Sequence, residues 1–181
     1  MKNTEKLYER ALWLAILTVV YNLIEGLVAI YFGVSDETLA LFGFGVDSFI
    51  EVLSGAGIIA MILRIRQNPD TERSQFEITA LRITGTSFYI LAVGLGATVI
   101  VNLISGHKPE TTLSGLIIST ISIATMWLLI RAKRDVGEKL DSAPILADAN
   151  CTLVCLYMSV VLLISSAVYE LTGIGFVDSL G

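Results

Sequence analysis

Gly45-Val46-Asp47-Ser48-Phe49-Ile50-Glu51-Val52-Leu53-Ser54-Gly55-Ala56-Gly57 sits within a run, Thr38–Leu63, that is otherwise apolar or small. Such a run is long enough to cross the roughly 30 Å hydrocarbon layer of a bilayer as a helix. Its two carboxylates must then be explained, because an ionisable side chain at mid-membrane costs about 2.5–3.5 kcal/mol on insertion scales. Asp47 and Glu51 are four apart and share one helix face. Two carboxylates on one face repel. In a medium of low dielectric, either one stays protonated or both are held by a cation. Two readings follow: a protonated pair hydrogen-bonded to neighbouring helices, or half of a metal site.

The rest of the chain supplies the membrane context. It is 54% hydrophobic and 16% charged, with a mean hydropathy of +0.75; soluble domains carry roughly a quarter charged residues. Five runs qualify as spanning helices, at about 7–32, 38–63, 76–104, 113–130 and 143–171, and a sixth begins near Ile174. The expected architecture is therefore an all-α integral membrane bundle, a single transmembrane domain over 1–181 with five full helices and the start of a truncated sixth. No cleavable signal peptide is evident before the first run. Eleven of the twelve basic residues fall before the first helix or in the even-numbered connections, and Lys108 is the exception. Cytoplasmic loops are rich in Lys and Arg, so the N-terminus is expected in the cytoplasm of a multi-pass protein of the cell membrane. A net charge of −5 argues against a nucleic-acid partner.

The other intramembrane polar residues complete the candidate site. The fifth run contains Asp148-Ala149-Asn150-Cys151-Thr152-Leu153-Val154-Cys155, with Asp148, Cys151 and Cys155 at i, i+3 and i+7 and Thr152 close to the same face. Facing Asp47 and Glu51, these groups would close a site of carboxylate oxygens and thiolates, a donor set that suits zinc, cadmium or a similar ion and suits magnesium or calcium poorly. The alternative for Cys151 and Cys155 is that each is a small buried hydrophobe. Glu25, deep in the first helix, is expected to orient a ligand or carry a proton, or else to be a capped structural acid. His107, the single histidine, falls in a turn beside Lys108 and reads as solvated.

Asp47-x3-Glu51 on the second helix and Ala147-Asp148 opening a polar cluster on the fifth resemble the cation diffusion facilitator family, as do Tyr21-Asn22-Leu23-Ile24-Glu25-Gly26 and the closing Phe176-Val177-Asp178-Ser179-Leu180-Gly181. That resemblance implies a bundle of six spanning helices, a homodimer, and proton-coupled efflux of zinc or related divalent metals, with no enzymatic activity and no cofactor beyond the transported ion. It implies ligands at Asp47, Glu51, Cys151 and Cys155, with Asn22, Glu25 and Thr152 as supporting or proton-pathway groups. The chain departs from the family's Asp-x3-Asp and His-x3-Asp pattern at Glu51, Cys151 and Cys155, which moves the expected preference toward softer ions. A branch of the family with Ala-Asp before a Thr and a Cys keeps Asp148 and Cys155 as its fixed features. Lacking the family's cytoplasmic domain and its His-rich loop, this chain resembles the compact members made of the membrane domain alone. Two other functions fit the same residues: a non-transporting membrane metal-binding or regulatory protein, and a carrier of a different cation.

Overall fold

A computed structural model describes the backbone of residues 2–67, 73–105 and 112–173. Side chains are described within these spans except at 2–3, 73–76, 84, 88, 91, 95, 98–99 and 101–105. Five helices follow one another: α1 (Lys2–Ser35), α2 (Leu39–Gln67), α3 (Arg73–Ser105), α4 (Leu113–Leu140) and α5 (Ala143–Thr172). Four of the predicted runs lie within them, and the run at 38–63 begins one residue before α2. The start of a sixth helix at Ile174 and the turn carrying His107 and Lys108 lie outside the described residues. Among the described residues, four helices, α1, α2, α4 and α5, are long and apolar enough to cross a membrane.

The helices outrun their apolar segments. α4 has 28 residues, about 42 Å of helix at 1.5 Å per residue, against roughly 30 Å of hydrocarbon. This corrects the expected ending of the fourth helix near Ile130. Arg131, Lys133, Arg134 and Lys139 are not in a loop but on the last turns of α4, and the connection shrinks to Asp141-Ser142. Hydropathy falls where a helix leaves the apolar layer, which need not be where it ends. The stop comes from Asp141, which takes a left-handed conformation with φ 49°, while the Ser142 amide donates to the Gly137 carbonyl at 3.0 Å. Pro144 then opens α5, where its missing amide costs nothing.

Packing is inside-out relative to a soluble bundle. On α1 the buried positions are Ala11, Ala15, Thr18, Asn22, Glu25, Gly26, Ala29 and Gly33, a stripe of small and polar residues at helical spacing. The opposite face, with Trp13, Leu17, Val20, Ile24, Leu27 and Tyr31, is apolar and exposed, as a lipid-facing surface should be. α1 lies tightly on α2 because glycines let their backbones meet: a Cβ on Gly33 would stand 2.6 Å from the Phe42 amide nitrogen, and one on Gly45 would stand 2.9 Å from the Ile30 nitrogen. α2 is the hub, packing against α1, α3 and α5, while α4 packs on α5 and α1.

Two apolar clusters bracket a polar layer. One gathers Ala11, Ala15, Ile58, Met61, Ile62, Val136, Leu140 and Ile145 at the end where the basic residues collect. The other gathers Ala29, Leu41, Phe44, Met126, Leu129, Cys155 and Leu162 toward the opposite end. The basic end is laced by Arg10 to Asp135 at 2.9 Å and Lys139 to Asp135 at 2.6 Å. At the other end the Thr112 amide donates to Glu170 at 2.7 Å, and the Ser114 hydroxyl donates to Asp36.

Candidate functional site

The polar layer is built from the inner stripes of four helices. α2 contributes Asp47, Ser48, Glu51 and Ser54, all buried, at spacings of one, three and three that keep them on its packed side. α5 contributes Asp148, Cys151, Thr152 and Cys155, all buried. α1 contributes Asn22 and Glu25. The predicted ligands and supporting groups on these three helices therefore all turn inward.

α4 contributes a residue that the sequence reading left in a loop. Lys133 is 2% exposed, and its Nζ is 2.8 Å from Asp148 Oδ2, 2.8 Å from Thr152 Oγ1 and 3.8 Å from Glu51 Oε1. One signal in the sequence points to it. Gly115, Ser119, Ser122, Met126, Leu129 and Lys133 step by four, three, four, three and four along α4, so Lys133 falls on the small inner stripe while Arg131 and Arg134 do not.

Around Lys133 the bonds are closed. Ser54 donates to Asp148 Oδ1 at 2.8 Å, so both oxygens of Asp148 are engaged. The Thr152 hydroxyl donates to Glu51 Oε1 while it accepts from Lys133. This assigns Thr152 and Ser54 to holding the carboxylates in place, and Asp148 to an ion pair with Lys133. The Cys151 thiol is buried beside Glu51 and Asp148.

On the other side of Glu51 the bonds are open. Asp47 Oδ2, Glu51 Oε2 and Asn22 Oδ1 are buried and accept no hydrogen bond. Asn22 donates its Nδ2 to the Thr18 carbonyl at 2.9 Å, which leaves its oxygen directed elsewhere. The Cys155 thiol is close to both Asp47 and Glu51. Burying an unpartnered polar atom costs about 1–3 kcal/mol, and more when it is charged. These three oxygens are acceptors that a cation can satisfy.

Glu25 stands apart from this group with its own partners. Tyr21 donates to its Oε1 at 2.7 Å and Ser48 donates to its Oε2 at 3.2 Å. It lines a cavity of about 220 Å³ between α1 and α4, with Tyr21, Ile24, Val28, Ile118 and Ile121. Among the described residues, no three His, Cys, Asp or Glu side chains stand closely enough to enclose an ion as they are. On one side of the layer the Lys133 ammonium lies between Asp148 and Glu51.

Residues 12–181 match the cation efflux transmembrane domain. The chain belongs to the cation efflux family. It is 28% identical over 140 residues to an uncharacterized transporter of Methanocaldococcus jannaschii, an alignment covering 74% of this chain and 49% of that protein. It is also 26% identical over 162 residues to Transmembrane protein 163 of Xenopus laevis, covering 90% of this chain and 57% of that protein. The chain thus spans about half the length of these relatives.

Proposed function

We propose that this cation efflux domain carries a divalent metal ion across the cell membrane in exchange for protons, with Asp47, Glu51 and Cys155 as the principal ligands and Cys151 and Asp148 adjoining them. The observation that carries this reading is the set of unpartnered oxygens, Asp47 Oδ2 and Glu51 Oε2 on α2 and Asn22 Oδ1 on α1, buried within a membrane bundle. Carboxylates beside a thiol favour zinc or cadmium over hard cations. Carboxylate and thiol bind metal only when deprotonated, so loading releases protons and couples the two fluxes. Glu25, joined to α2 through Ser48, is placed to pass a proton toward the carboxylates. The transported ion is the substrate, and no further cofactor is required.

The basic end, where Arg10, Arg64, Arg66, Arg131, Arg134 and Lys139 gather, is assigned to the cytoplasm, which puts the N-terminus inside. The family resemblance supports a homodimer in the membrane. The deciding experiment is reconstitution in liposomes with a pH-sensitive dye inside. Zinc or cadmium added outside should enter and drive protons out. A protein that binds either metal yet moves none would be a membrane metal-binding or regulatory protein. A protein that binds neither would reject the metal reading altogether.

A further inference from the structure

We infer that Lys133 is a tethered competitor of the transported ion, an internal cation that holds Asp148 and Glu51 until a divalent ion displaces it. This rests on the metal-carrier reading above. The ammonium is buried, bonded to Asp148 Oδ2 and Thr152 Oγ1 at 2.8 Å each, and 3.8 Å from Glu51 Oε1. It therefore lies between two carboxylates, which is where a shared cation belongs.

Glu51 is the residue that links clamp and site. Its Oε1 faces Thr152 and Lys133, while its Oε2 is buried and unpartnered, one helical turn from Asp47 on α2. An ion bound through Asp47 and Glu51 draws on the same carboxylate that Lys133 holds. Attraction scales with the product of charges, so a divalent ion pulls on Glu51 twice as strongly as the ammonium at equal distance. A monovalent ion has no such advantage, and it must also compete with a group whose local concentration is raised by its tether. Lysine suits this role because its ammonium is a compact point charge on a flexible four-carbon stem, able to swing away, whereas arginine would lock a carboxylate in a two-pronged bond. Lys133 is thus a specificity-determining residue: it rejects monovalent ions and sets the affinity that a divalent ion must exceed.

Two measurements on the full chain in lipid nanodiscs test this, with Cd²⁺ as the probe. The first is equilibrium binding to Lys133→Ala. The variant should bind Cd²⁺ at least about tenfold more tightly than wild type. Added methylammonium should weaken binding to the variant but not to wild type, and tetramethylammonium, which has no N–H to donate, should have no effect. A lysine that only props up the fold gives no such amine sensitivity. The second needs no variant. Reductive methylation of wild type, read by peptide mass spectrometry, should rise several-fold at Lys133 when Cd²⁺ is bound and stay constant at exposed Lys139. A folded Lys133→Ala protein with unchanged or weaker Cd²⁺ binding, or Lys133 labelling that ignores Cd²⁺, overturns the competitor role. Wild type that binds no Cd²⁺ overturns the metal-carrier reading as well, so the two failures are told apart by the wild-type measurement alone.

Discussion

At the scale of single residues, the site divides at Glu51 into a half with its bonds made and a half with its bonds open. Asp47 belongs to the open half, with Oδ2 buried and unpartnered. Asp47→Asn removes a ligand charge with little change in shape. Removing even a group that only orients a ligand costs 10–100-fold in metal affinity, so the loss here should be about 100-fold or more, measured as Cd²⁺ binding. Cys155→Asp makes a different demand. It replaces a soft donor with a hard one, so cadmium transport should fall relative to zinc and manganese. An unchanged ranking of metals would mean that Cys155 only packs, and normal transport by Asp47→Asn would remove the site altogether. Asp148 and Lys133 belong to the closed half. Removing one partner of a buried ion pair costs about 3–5 kcal/mol, because the other charge is left stranded. Asp148→Asn or Lys133→Ala should each lower the unfolding midpoint sharply, and the double variant should recover most of that loss. Strictly additive losses in denaturation would show that the pair is not coupled. The carboxylates were legible in the sequence because a charge in an apolar run has a known cost. Lys133 was not, because it stands among Arg131, Arg134 and Lys139, where a window of hydropathy sees a charged connection and only helical phase separates one inward lysine from its outward neighbours.

At the scale of helices, small residues have two different roles that look the same in a sequence. Gly33 and Gly45 are points where α1 and α2 touch backbone to backbone. Gly94 and Gly96 on α3, which the sequence shows as an equally small-residue stretch, have no atom within 4 Å of where a Cβ would stand. Gly45→Val should therefore force α1 and α2 apart and cost about 1–3 kcal/mol, as overpacking does. Gly96→Ala meets open space and should be neutral, or stabilising by about 0.5–1 kcal/mol, because glycine weakens a helix interior. Thermal unfolding in detergent reads both, and equal losses for the two would contradict the packing of α1 on α2. The positions of the helices were legible because apolar length is a direct consequence of bilayer thickness. Their ends were less so: α4 continues ten residues past its expected end at Ile130, to Leu140, and its stop lies in the left-handed turn at Asp141, a position without the usual glycine. Which face of each helix turns inward follows from spacing on α1, where small and polar residues alternate by three and four. On α2 it does not, since that helix is buried on several sides and its residues vary little around the axis.

At the scale of the whole molecule, the layers set what the bundle can do. A polar layer that bridges α1, α2, α4 and α5 lies between two apolar clusters, and the outer surface of α1 is apolar along most of its length. An ion held at Asp47 and Glu51, as proposed, would be separated from both ends by packed side chains, and its passage would require the helices to move and open one cluster at a time. The cluster at the basic end contains Ala11, Ala15, Ile58, Met61 and Ile145, contributed by α1, α2 and α5, so separating those helices would open the site on that side. The proposed orientation puts the end with Arg10, Arg66, Arg134 and Lys139 on the cytoplasmic side. The opposite end, with Glu37 and Thr172, carries no basic residue among the described side chains. Single cysteines at exposed Glu5, Glu37, Glu138 and Thr172, in a background with Cys151 and Cys155 replaced by serine, give the test. On intact cells a membrane-impermeant maleimide should label Glu37→Cys and Thr172→Cys, and should reach Glu5→Cys and Glu138→Cys only after the cells are opened. The reverse pattern would invert the bundle and overturn the proposed orientation. Labelling of all four from one side would remove the membrane-spanning arrangement of α1, α4 and α5.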